Sequence, residues 1–298
     1  MLRGFCLLVG VGMLGYGAYM AWQTYDGYKK GRDEYNTMND DFTVDPIEEL
    51  DLQPVTETEE IERPELSALR ESGYLPDDAP ARKKIRWSKL KETYPDIVAW
   101  VDIPGIKASY PVAQSKDNEY YLHRDMKGDY LFAGCIFMDF RSAPDMSDQN
   151  TLIYGHNMRD GSMFGRMKDF RENDLAKKEP YFWIYTPEKD FLCRIFSVHD
   201  VGYASDTYKV TFRDGDSINL YYADHARETN QDGETEAQEK LITYEDWLAK
   251  QIDASVVKLS PVPDKDKRIV TLSTCMNDAA NRRVVQGFIG WELQPKEN

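Results

Sequence analysis

Residues 268–293 read RIVTLSTCMNDAANRRVVQGFIGWEL. Arg268–Thr274 and Arg282–Leu293 are dense in β-branched and aromatic side chains, and a polar segment separates them. The pattern predicts two long strands, with Cys275 at the tip of the first. Upstream, Ile97–Ile103 (closed by Pro104-Gly105), Ala108–Ala113, Gly134–Asp139, Thr151–Tyr154, Tyr181–Tyr185 and Phe191–Val201 carry the same signature. Helical spacing marks Trp87–Tyr94, Ser162–Phe170 and Tyr244–Val257, and ERPELSALRES (62–72) could form a turn or two of helix. Strands and helices do not alternate as βαβ units, and the chain carries no internal repeat. The expected fold is mainly β, a barrel or sandwich with helical insertions.

The chain has 298 residues, 37 Lys+Arg against 52 Asp+Glu, and a formal net charge of −15. That length permits one or two domains with a sizeable core. A hydrophobic content of 41% excludes a wholly disordered chain. The acidic balance argues against nucleic-acid partners, which need a basic face to displace phosphate counterions. Four Cys do not make a disulfide scaffold.

The acidity is concentrated. Residues 33–80 hold 16 acidic side chains against Arg63 and Arg70, whereas residues 81–298 are nearly balanced. Pro46, Pro54, Pro64, Pro76 and Pro80 punctuate this stretch, and no apolar periodicity is sustained through it. Like-charge repulsion and proline predict an extended tether, or else a segment that orders on a partner. Gly4–Trp22 is 19 residues without a charge. About 20 apolar residues span a bilayer, and Trp22 and Tyr25 suit an interfacial aromatic belt. A cleaved signal peptide is the rival, but Gly17-Ala18-Tyr19-Met20-Ala21 offers no good A-x-A site. The expected organisation is an anchor and its flanks (1–32), an acidic tether (33–80) and a catalytic domain (81–298). Lys29, Lys30 and Arg32 follow the apolar segment, so local charge alone would not put the C-terminal side outside.

Three residue types carry reactive chemistry near strand ends. Cys275 closes RIVTLSTC; His156 lies in TLIYGHNMRDGSMFG, just past an apolar run; Arg282 and Arg283 open RRVVQG. Alone, each has an ordinary reading: a core cysteine, a loop histidine, a solvated arginine. Together they form a set for acyl transfer. A thiol titrating near 8.5 needs a neighbouring base or cation, and a guanidinium can hold the oxyanion formed on carbonyl attack. Arg282 and Arg283 must face opposite sides of their strand, so only one can serve.

YGHNM…GSMFG, TLSTC and R-x-V-V-x-G, in that order, resemble the sortases, specifically class B. IPGIKASYPVAQSKDNEYYLHRD and AGCIFMDFR are similar to class B sequence as well, and the resemblance covers roughly residues 85–293. It implies an eight-stranded β-barrel carrying a membrane-anchored cysteine transpeptidase of Gram-positive bacteria. Such an enzyme cleaves a C-terminal sorting motif of a surface protein and passes the thioacyl group to an amine of a cell-wall (peptidoglycan) precursor or a pilin. By the same resemblance Cys275 is the nucleophile, His156 the proton carrier and Arg282 the catalytic arginine, while Ser273 and Thr274 help bind the sorting peptide. Tyr244–Val257 matches the class B helix before the cysteine strand, where it could wall the substrate groove. The resemblance also implies an N-terminus inside the cell, residues 24–298 outside, and no cofactor.

Other reactive types have plainer readings. His123 is expected to be structural, and His199 and His225 lack partner motifs. No C-x-x-C or H-E-x-x-H spacing supports a metal. Cys135 and Cys193 are expected in the core, where a disulfide between them is permitted. A papain-like enzyme is disfavoured because His156 precedes Cys275, and the S-H-G-C-type motif of L,D-transpeptidases is missing. A cysteine peptidase acting by hydrolysis and a non-catalytic membrane-tethered adhesion or scaffold module are the remaining alternatives.

Overall fold

The computed structural model describes residues 2–44, 69–70, 73–172, 174–212, 242–275 and 281–294, with the side chains of residues 2–12, 23, 24 and 275 outside that description. The acidic loop Asp224–Glu239 and His225 lie outside the described residues, as does the middle of the acidic stretch. Eight strands close into a barrel: β1 Ile97–Ile103, β2 Ala108–Ala113, β3 Ile136–Met138, β4 Asn150–Gly155, β5 Tyr181–Tyr185, β6 Asp190–Gly202, β7 Ile269–Cys275 and β8 Asn281–Leu293. Around the barrel the order is β8-β6-β5-β1-β2-β3-β4-β7, closing back onto β8. Closure gives each barrel strand a paired neighbour on both sides. Two neighbours are parallel, β2 with β3 and β4 with β7; the rest are antiparallel. The expected eight-stranded architecture is therefore present.

The barrel fills with Trp100, Ile153, Phe182, Leu272 and Val285, all fully buried. Val270 and Leu272 of β7 belong to this interior, while Ile269 packs outward against Trp247 and Phe288. Trp247 sits on helix Tyr244–Ala254, which covers β6 from outside; Thr243 caps that helix by accepting from the Asp246 amide. Between helix and barrel runs a buried polar chain. Ser197 Oγ donates to the Gln251 carbonyl (2.8 Å), Thr207 Oγ1 donates to Gln251 Oε1 (3.0 Å), and Asn150 Nδ2 donates to the carbonyls of Thr207 and Lys209.

His199 belongs to this layer, with its Nδ1 2.9 Å from Ser197 Oγ. Burial pulls its pKa down to about 4, against smaller upward pushes from Asp200 and Gln251. The folded protein thus holds a neutral ring that the unfolded chain would protonate near 6.5. Its contribution is present above about pH 6.5 and is lost as the pH falls towards 4, at a cost of about 3 kcal/mol. Urea unfolding at pH 7 and pH 4 should show a steeper loss in the wild type than in His199→Gln. Equal slopes would mean that the ring is charged in the fold.

Two expectations need correction. The run Ser162–Phe170 is not a helix: Met163 takes a left-handed φ of 53° and only Asp169–Glu172 closes a helical turn. The Phe164 amide instead donates to the His156 carbonyl (3.0 Å), folding the segment back as a compact loop. The acidic stretch is also not extended throughout, because its first ten residues complete α1, Leu2–Phe42. Tyr35, Met38 and Phe42 recur at helical spacing and are buried against the barrel wall. Tyr35 Oη donates to the Gly134 carbonyl (2.8 Å) and its ring meets Tyr110 edge-on, while Asn39 Nδ2 donates to the Ser109 carbonyl. Removing any one of these buried side chains would cost about 2–5 kcal/mol. Further along, Leu75 and Ala79 are buried as well. Among the described residues, no helix is long and apolar enough to cross a membrane. Cys135 and Cys193 are both buried and free, with no disulfide between them.

Candidate active site

Strand register assembles one end of the barrel. β4 and β7 run parallel with Gly155 paired to Thr274, so the next residue on each is His156 and Cys275. β8 runs antiparallel to β7 and places Arg282 opposite Cys275 and Arg283 opposite Thr274. Directly opposed residues of an antiparallel pair lie roughly 4.5–5.5 Å apart at Cα. Positions 156, 275 and 282 thus meet at one rim, on three adjacent strands, although 119 residues separate the first two in sequence.

Arg283 is committed elsewhere. Its Nε and Nη2 donate to Asp200 (2.9 and 3.3 Å), and Arg171 Nη1 donates to the same carboxylate (2.6 Å). Arg282 donates through Nη1 to the Asn281 carbonyl (3.0 Å), and its charge bears on His156. The two guanidiniums therefore divide as alternation requires: one braces β8 to β6, the other stays at the rim.

His156 Nε2 lies 2.8 Å from the Leu122 carbonyl. A carbonyl only accepts, so Nε2 carries the proton and Nδ1 is the acceptor in the neutral ring. Burial lowers the ring's pKa, the Leu122 carbonyl opposes that, and His123 and Arg282 push it down further. His156 is therefore a neutral base-capable imidazole at pH 7. His123 stands beside it, ring centroids 5.4 Å apart, with its Nδ1 3.2 Å from the Phe132 carbonyl. The Leu122 carbonyl is held by the turn at Gly134, whose φ is +54° and where any Cβ would strike that oxygen.

Ser273 and Thr274 are both buried. Ser273 Oγ shares a 2.9 Å hydrogen bond with Tyr208 Oη, and Thr274 Oγ1 has no partner among the described residues. Leu122, Asp200 and Tyr208 are contributors that residue reading did not single out, and His123, expected to be structural, lies against His156. Leu122 and His123 both lie in the quoted YYLHRD. Leu122, Asp200 and Tyr208 act through a carbonyl, an ion pair and a phenol that no spacing rule identifies.

The arrangement supplies an imidazole and a guanidinium beside the cysteine position, with no metal-type cluster among the described residues. A family model for the sortase domain matches residues 101–288. Sortase B of Listeria monocytogenes is 33% identical over 201 residues, covering 66% of this chain and 71% of that protein. Sortase B of Staphylococcus aureus is 28% identical over 190 residues, or 64% and 67% of the two chains. Among solved structures, Clostridium perfringens sortase B aligns with a TM-score of 0.53 at 27% identity, covering 70% of this chain and all of that one. B. anthracis sortase B shares the fold across 89% of this chain and 99% of its own, with a TM-score of 0.60 at 22% identity. Motif order, barrel topology and these likenesses converge: the chain belongs to the sortase family, in class B, and is a cysteine transpeptidase.

Proposed function

We propose that this transpeptidase works from a membrane anchor, cutting the C-terminal sorting motif of surface proteins and joining them to an amine of a cell-wall precursor or a pilin. The observation that supports this best is the register that brings positions 156, 275 and 282 to one rim. His156 Nδ1 takes the Cys275 thiol proton, the thiolate attacks the scissile carbonyl, and Arg282 stabilises the resulting oxyanion. His156 gives a proton to the departing amine as the C–N bond breaks, leaving a thioester on Cys275. The incoming amine then loses a proton to His156 as it attacks the thioester, and the thiolate departs. Ser273 and Thr274 sit buried beneath the strand tip, where they support the wall against which the sorting peptide lies.

Anchoring rests on the uncharged run Gly4–Trp22 and on α1, where Met13, Leu14, Tyr16, Tyr19 and Trp22 are all more than half exposed. Apolar exposure on this scale suits lipid rather than water. The N-terminus is then inside and the barrel outside, with residues 33–80 reading partly as docked helix and partly as acidic connection. The deciding assay uses the full chain in detergent with a fluorogenic sorting-type peptide. An added glycine-peptide amine should divert product from hydrolysis to transfer. Cleavage that the amine never diverts would instead indicate a hydrolytic cysteine peptidase, and no cleavage a non-catalytic module.

A further inference from the structure

Beside the reactive rim, the segment from Tyr120 to Phe132 exposes aromatic rings that the transpeptidase chemistry does not use. Tyr130 is 77% exposed, Phe132 44% and Tyr120 40%. These rings touch both the anchor helix and the site. Phe132 meets Tyr28 of α1 edge-on at 5.9 Å, and a Cβ on Gly27 would contact its side chain. His123 lies 6.5 Å from Tyr130, 6.3 Å from Phe132 and 5.4 Å from His156.

Distance along α1 fixes the depth of this patch. The helix is continuous from Leu2 to Phe42, so Tyr28 stands only about 9 Å beyond Trp22 at 1.5 Å per residue. The polar region outside each face of a bilayer's hydrocarbon core is about 5–8 Å thick, and helix tilt shortens the axial distance. Tyr25 (63% exposed) and Lys29 and Lys30, both exposed, occupy the same level. Aromatic rings beside lysines are the composition of a membrane interface.

We infer that the Tyr120–Phe132 segment rests in the headgroup layer of the outer leaflet, so that the rim carrying His156, Cys275 and Arg282 faces the bilayer. The inference rests on the anchoring proposed above. It adds that the active site opens towards lipid rather than away from it. The β5–β6 turn at Glu188 lies at the opposite end of the barrel, because Leu293 pairs with Asp190 there while Asn281 pairs with Gly202 at the rim.

Spin-label depth measurements on the full chain in phosphatidylglycerol–phosphatidylcholine nanodiscs test this. Single labels go on cysteines at Leu14, Tyr130 and Glu188 in a Cys6→Ser, Cys275→Ala background, where Cys135 and Cys193 are buried. Position 14 should report the hydrocarbon core and position 188 water. Position 130 should show a ratio of lipid-soluble oxygen to aqueous nickel-reagent accessibility about three-fold or more above that at 188. A label at Lys127, leaving Tyr130 and Phe132 intact, should report the same layer. Core depth at 14 with both loop labels as aqueous as 188 would overturn the inference and leave the anchor standing. An aqueous position 14 would remove the anchor itself, and with it the inference. Spin–spin broadening at 130 would mean that a second copy covers the patch, which also overturns it.

Discussion

Cys275→Ala is expected to lower kcat/KM for amine-dependent transfer by about 10⁴-fold or more while leaving the fold intact, since loss of a covalent nucleophile removes the whole pathway that depends on it. No other described thiol can substitute. Cys135 is buried, donates from Sγ to the Arg124 carbonyl (3.1 Å), and is pushed up to about 12 chiefly by burial. Burial raises Cys193 as well. Position 275 is the last residue of β7 and the change removes one sulfur atom, so unfolding should shift by less than about 1 kcal/mol. The informative measurement pairs single-turnover cleavage with intact-mass detection of the thioester. Cleavage that survives in Cys275→Ala, or an acyl adduct mapped to another residue, would remove Cys275 from its role. Lost activity together with a broad loss of thermal stability would show instead that the residue supports the barrel.

The barrel strands were legible because each is a short run of β-branched and aromatic residues ended by a polar or proline-containing turn. Ile97–Ile103, Ala108–Ala113 and Tyr181–Tyr185 form at the bounds their sequence predicts. Ser162–Phe170 misled because Met163, Phe164 and Met167 recur at helix-like spacing. In the fold they are all buried by a loop wrapped over the β4 end, and backbone bonds to His156 and Ser162 override local preference. The docked half of α1 was missed for a different reason. Its seam of Tyr28, Gly31, Tyr35, Met38 and Phe42 has small or aromatic members, and it crosses the point where charge turns from basic to acidic. Reading composition by blocks splits that seam in two. At the site, the sequence carried the three reactive residues and their order. It could not carry the tautomer of His156, which a carbonyl 34 residues upstream sets. Nor could it show the partner of Arg283, which lies 83 residues away on β6.

That partner makes the two adjacent arginines separable by experiment. Arg282→Ala is expected to lower kcat by about 10²–10³, the usual cost of removing one oxyanion donor, with little change in KM. Arg283→Ala should instead cost about 1 kcal/mol of stability and leave kcat within a few-fold, because Asp200 keeps Arg171 when Arg283 is gone. The pH profile gives a readout that a merely structural role would not move. Arg282 is among the charges that push His156 down, so its removal should let the imidazole titrate higher. The limb of the rate profile that reports His156 should therefore shift upward in Arg282→Ala and stay in place in Arg283→Ala. Arg282→Lys keeps the charge but not the planar fork, so it should restore the limb's position more fully than the rate. An inactive Arg283→Ala beside an active Arg282→Ala would reverse the assignment. The fold argues the other way: in the β7–β8 ladder position 282 stands opposite position 275, while 283 is tied to the neighbouring strand.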